Sequence, residues 1–117
     1  MENLKVRITI DFRALNEWLT GTQFHNQTPF EAVRCIPDGM KFFTLFDGLK
    51  GYHMVALDEE SMALTTHLTI EGLHQCTRLP MGAKVSGAEF GSRFDAKLGD
   101  IPNTVRCMED ILAFAKT

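Results

Sequence analysis

No apolar run in the chain approaches the roughly 18 residues that a membrane-spanning helix needs. The opening "MENLKVRITI" has neither the hydrophobic stretch nor the small-residue cleavage site of a secretory leader. No membrane partner is expected, and the setting is read as intracellular, in the cytoplasm or the nucleus. Cysteine is sparse: Cys35, Cys76 and Cys107 are odd in number, widely spaced and form no CxxC pair. That argues against a disulfide framework or a thiolate zinc site and leaves reduced, buried thiols. Positive charge is scarce as well. With 12 Lys and Arg against 15 Asp and Glu, the formal net charge is −3, so nothing draws the molecule as a whole to nucleic acid. Such a partner would have to be held by a local cationic patch or through metal ions. Repeats, low-complexity tracts and linkers are missing.

What is there is the composition of a packed domain: 44% apolar residues, 23% charged ones and nine Phe. A chain of 117 residues suffices for one core and is too short for two. Residues 1–117 are therefore read as one unit, or a piece of one.

In "KVRITIDFRALN", Val6, Ile8 and Ile10 alternate with Arg7 and Thr9, the period of a strand with one buried face, which turns Arg7 outward. Asp11 and Arg13 are spaced for a structural ion pair. In "TPFEAVRCIPDG", Thr28 is a helix cap, Pro29 the first helical residue and Glu31 the capping-box acid, with a stop at Ile36 before Pro37 and the Asp38-Gly39 turn. "KFFTLFDG" reads as a buried strand ending on Asp47. "HMVAL" and "LTTHLTI" read as strands, with Glu71-Gly72 turning into "LHQCTRL". Asp58, Glu59 and Glu60 read as a solvated turn, and His53, His67 and His74 as structural or surface residues without ligand spacing. After "PMGAKVSG", Ala88, Phe90, Phe94 and Leu98 recur at helical intervals until Gly99 and Pro102. "TVRCM" and "ILAFA" form a hairpin with Glu109 and Asp110 at its tip. The pattern is α+β: a mostly antiparallel sheet with helices packed on one face.

Adjacent acids between two apolar strands are held rigidly against a core. If the strand ending on Asp47 neighbours that hairpin, Asp47, Glu109 and Asp110 converge and repel one another unless a cation lies between them. Oxygen donors of this kind suit Mg²⁺ or Mn²⁺, and a pair of such ions serves in-line phosphoryl transfer. A solvated turn is the competing reading of the same three residues.

The stretches "RITIDFRALN", "TPFEAVRCIPDGMKFFTLFDGLKGYHMVALDEES", "LTTHLTIEG", "TRLPMGAKVSGAEF" and "VRCMEDILAF", in this order, resemble the fingers–palm segment of reverse transcriptases of gypsy-type LTR retrotransposons. The resemblance implies a palm-type fold cut before the thumb, and a catalytic, metal-binding set of Asp47, Glu109 and Asp110 holding two Mg²⁺ or Mn²⁺ ions. It also implies nucleotide contacts from Arg7, Gly48, Tyr52, Met81, Gly82 and Lys84, with Tyr52 beneath the incoming sugar and Phe46 flanking the metals. Cys107 and Met108 would support the primer end. The implied partners are an RNA or DNA template with its primer and a dNTP, with thumb, connection and RNase H parts lying outside this stretch. "CMED" departs from the family's YxDD box at Cys107 and Glu109, and Gly87 stands near a common proline. A fragment of this extent is expected to be weak or inactive alone. The alternative is a decayed or host-adopted remnant that serves as a binding module; a nucleotide-binding palm with cyclase-like chemistry shares only the fold.

Overall fold

The computed structural model describes residues 8–21 and 23–117. Its largest sheet is built on the C-terminal hairpin. Strand β4, Thr104–Cys107, turns at Met108 and Glu109 into β5, Asp110–Ala115. On its other side β5 takes β1, Phe42–Phe46, so the sheet order is β1-β5-β4 and every pairing is antiparallel. A separate two-stranded hairpin joins β2, His67–Thr69, to β3, Gly72–His74, around the Ile70-Glu71 turn. Gly72 follows that turn at φ +117, a conformation that glycine takes without a side-chain clash.

Among the described residues, four α-helices accompany the strands: α1, Arg13–Trp18; α2, Pro29–Arg34; α3, Glu59–Leu64; and α4, Ser86–Leu98. Helix α2 begins where the residues dictate. The Glu31 amide donates to Thr28 Oγ1 at 3.3 Å and the Thr28 amide to Glu31 Oε2 at 2.8 Å, the reciprocal capping box, with Pro29 at the first helical position. Its Ala32 is buried against Val105 of β4 and Phe114 of β5, with Ile36, Met40, Cys107 and Leu112 around them. Phe12, Leu79 and Phe90 are the other buried large side chains. The architecture is α+β, a mostly antiparallel sheet accompanied by helices.

Several elements differ from the sequence reading. The strand expected over Val6–Ile10 is not formed at residues 8–10, while Val6 and Arg7 lie outside the described residues. Helix α1 was not foreseen, although Asp11 and Arg13 do pair, at 2.6 Å. "HMVAL" is not a strand. A single 3₁₀ turn, Gly51–Met54, takes its first part, and Ala56 alone bridges to Arg78. The turn forms because Tyr52 packs inward, and the His53 amide bonds back to the Lys50 carbonyl at 2.9 Å. The acids of "LDEES" open helix α3: Asp58 caps it by accepting from the Ser61 amide at 2.8 Å, and Glu59 and Glu60 sit favourably at the positive end of the helix dipole. "LTTHLTI" is consequently strand only from His67.

Two burial expectations also fail. All five residues of β1 are exposed, Phe42 at 60% and Leu45 at 65%, because β1 is an edge strand and, among the described residues, its extensive contacts are with β5 alone. The three thiols are free, but Cys35 is exposed and Cys76 and Cys107 are only half-buried. Among the described residues no helix is long and apolar enough to cross a membrane.

Candidate active site

Register positions the acids. Phe46 is paired with Ile111 and Asp110 with Cys107. Carrying the β1 register one residue further sets Asp47, just past the strand, abreast of Asp110. Side chains directly opposite one another in antiparallel strands share a face, so Asp47, Asp110 and Cys107 fall in one row across the end of the sheet.

Glu109 goes elsewhere. It is half-buried in the turn, and the loop that follows β1 closes against it through two glycines. A Cβ on Gly48 would lie 2.5 Å from the Glu109 carbonyl oxygen; one on Gly51 would lie 3.1 Å from Glu109 Oε2 and 2.9 Å from Phe90 Cζ. The Glu109 carboxylate therefore rests over Gly51. Among the described residues, no group of three or more His, Cys, Asp or Glu side chains is placed to hold one metal ion. The oxygen donors have the chemistry that Mg²⁺ or Mn²⁺ requires, and two of them stand abreast, but the set of three is not gathered as expected. Neither is it neutralised: among the described residues, Asp47, Glu109 and Asp110 have no ion-pair partner.

Tyr52 is half-buried. Its ring stacks on Phe90 with centroids 5.1 Å apart, and its hydroxyl lies beside Gly87. Met81, Gly82 and Lys84 sit in the loop before α4, with Gly82 at φ +95. Two bonds that the sequence did not signal hold this loop. Asn16 of α1 donates from Nδ2 to the Gly82 carbonyl at 3.0 Å and accepts at Oδ1 from the Lys84 amide at 2.7 Å. Ser86, fully buried, donates to the Pro80 carbonyl at 2.7 Å and closes the other end. A cleft of about 510 Å³ opens between Thr9, His53, Cys76, Arg78 and Met81; the acids do not line it.

Met108 is exposed at the tip of the hairpin with φ +54. Cys107 turns its thiol toward the Gln27 carbonyl, 3.6 Å away. Arg7 lies outside the described residues. Arg106 and its partner Asp95 went unnoticed in the sequence, although a cation inside "TVRCM" was the available signal. Among the described residues, Arg106 is the most enclosed of the paired cations, with its side chain 10% exposed.

No family model matches the chain. Two curated proteins of Drosophila melanogaster resemble it. The retrovirus-related Pol polyprotein from transposon 412 is 34% identical over 89 residues, 74% of this chain and 7% of that protein. The corresponding polyprotein from transposon 297 is 30% identical over 108 residues, 92% of this chain and 9% of that protein. Among solved structures, the prototype foamy virus protease-reverse transcriptase superposes with a TM-score of 0.81 at 26% identity, over 95% of this chain and 15% of that one. A mutant of the same enzyme gives 0.83 at 27% identity. The chain thus spans less than a tenth of the length of these two transposon relatives. With sequence and fold in agreement over most of its residues, the chain belongs to the reverse transcriptase family of retroelement Pol polyproteins.

Proposed function

We propose that residues 1–117 are the fingers–palm part of an RNA-directed DNA polymerase from a gypsy-type LTR element. In this reading it extends a primer on an RNA or DNA template within a longer, intracellular protein that also carries thumb, connection and RNase H parts. The observation that carries the reading is the end of the sheet, where Asp47 follows β1 and Asp110 opens β5 without an ion-pair partner among the described residues, with Glu109 in the adjoining turn. Asp47 and Asp110 would hold the divalent ions directly, and Glu109 would join them only by swinging its carboxylate off Gly51. When bound, two Mg²⁺ or Mn²⁺ ions supply the charge that activates a primer hydroxyl and steadies departing pyrophosphate.

The chain's own residues do the rest. Tyr52, backed by Phe90, presents an aromatic edge under the incoming dNTP sugar. The Met81–Lys84 loop, fixed by Asn16, gives Gly82 and Lys84 to the nucleotide and Met81 to its base or template. Gly48 lets the loop approach closely, Arg7 contacts phosphate, and Cys107 and Met108 meet the primer end. Primer extension by a chain extended to the length of the relatives tests this: Mn²⁺- or Mg²⁺-dependent product that vanishes in Asp47→Asn is expected. Product that survives Asp47→Asn defeats the proposal.

A second reading has its own observation. The Glu109 carboxylate lies over Gly51 instead of beside Asp47 and Asp110, as in a remnant that keeps the fold and binds without catalysing. Primer extension by the unaltered sequence that is lost on Asp47→Ala would refute it.

A further inference from the structure

We propose that Arg106 is a positioning residue for the acid-bearing turn, tying Met108 and Glu109 to helix α4 and to residues 24–27. The inference deepens the polymerase reading, since that reading alone gives Glu109 and Asp110 their role.

Strand alternation sets Arg106 on the face opposite Val105, paired with Ile111. There its guanidinium serves three partners at once. Nε and Nη2 donate to the two oxygens of Asp95 on α4, at 2.5 and 3.2 Å. Nη1 donates to the Met108 carbonyl at 2.7 Å. Both Nη atoms lie 3.4 Å from Asn26 Oδ1. The rings of Phe24 and Phe94 flank it, with centroids 5.9 and 5.7 Å from Cζ.

Each tether leads to something rigid. Asn26 donates in turn to the Gly87 carbonyl at 3.2 Å, and residues 24–26 cross α4 at Gly91, where any side chain would overlap Phe24 and Asn26. The tethered end is the strained one. Met108 sits at φ +54, in the left-handed region that a side chain disfavours, and its carbonyl is the group that Arg106 holds. Releasing that carbonyl frees Met108 to return to an ordinary conformation, which would loosen the turn and shift Asp110 relative to Asp47. Lysine cannot substitute fully, because a single ammonium lacks the planar fork that reaches a carboxylate and a carbonyl together.

The test compares amide hydrogen exchange with Mn²⁺ affinity, the latter read from the paramagnetic resonance of free ion, in the 117-residue chain. In Arg106→Gln, exchange at Glu109 and Asp110 should quicken about tenfold or more while Leu112 and Ala113, in mid-strand, change by less than about twofold. Arg106→Lys should be intermediate. Asp95→Asn, a milder change that keeps the volume, should move the same two amides and serves if Arg106→Gln does not fold. Mn²⁺ affinity should fall in the order of the exchange effects. Asp47→Ala separates the two ideas: it should abolish Mn²⁺ binding and leave exchange at the turn unchanged. If the parent chain takes up no Mn²⁺, the metal reading fails, and exchange alone still decides the role of Arg106. Acceleration spread evenly along β5, or none at Glu109 and Asp110, overturns the proposal.

Discussion

At Gly48 an added methyl carbon would meet a backbone oxygen at 2.5 Å, whereas at Gly51 it would meet the end of the Phe90 ring at 2.9 Å. A ring can tilt; a hairpin turn moves only with its strands. Gly48→Ala is therefore expected to cost more than Gly51→Ala, in the range of about 1–3 kcal/mol or above for overpacking, measured as the shift in urea midpoint. Asn16→Ala removes two bonds to the Gly82–Lys84 backbone and should cost about 1 kcal/mol per lost bond at most, since the site is partly hydrated. Faster amide exchange at Lys84 would locate the loss. Asp11 gives a pH-dependent case. The Arg13 side-chain hydrogen bonds, helped by its backbone amide, hold the Asp11 carboxyl down from 3.8 to about 2. A depressed acid stabilises the fold above its unfolded value and loses that contribution as pH falls toward the folded one. The stability difference between the parent and Asp11→Asn should be constant above pH 3.8, shrink as the solution is acidified, and vanish near pH 2. Both groups are exposed, so the difference is small, and a carboxyl-resonance titration is the sharper measurement.

Among the elements, the capped ones were the most legible. Thr28→Ala should destabilise α2 by about 1 kcal/mol, seen as lost helical ellipticity and a lower midpoint, because both halves of its capping box are made. The hairpin of β4 and β5 and the long helix α4 were equally plain, since apolar spacing over many residues outweighs local ambiguity. The failures have physical causes. "LDEES" carries a capping signal in Asp58 and Ser61, but the run of polar residues matches a turn equally well, and only the Asp58 cap on the Ser61 amide distinguishes the helix. "HMVAL" is a short apolar run that suits a strand, yet Gly51 lets the chain draw close to Phe90, and Tyr52 stacks there. At the site, Asp47 and Asp110 could be placed from strand ends alone. The lean of Glu109 could not, because it depends on which atom occupies the space above Gly51. Asn16 and Asp95 act through contacts 66 and 11 residues away in sequence, and no local pattern reports such partners.

Taken whole, the molecule is open. Its radius of gyration is 17.6 Å against about 13 Å for a compact domain of this length. Its accessible surface is 9588 Å², where mass scaling gives roughly 6,400 Å². The excess is visible in β1, whose Phe42, Phe43, Leu45 and Phe46 are all more than half exposed on a free edge. Such an edge templates pairing with other chains. Thr44→Lys, on that strand, should suppress concentration-dependent light scattering while moving the unfolding midpoint by less than about 0.5 kcal/mol; scattering that persists unchanged would direct attention to another surface. The extents of 56 × 45 × 21 Å describe a plate. A plate is a wall and not a vessel: in the proposed reading, a ligand at the Asp47–Asp110 end would meet this stretch on one side only, and the longer protein would have to supply the facing wall.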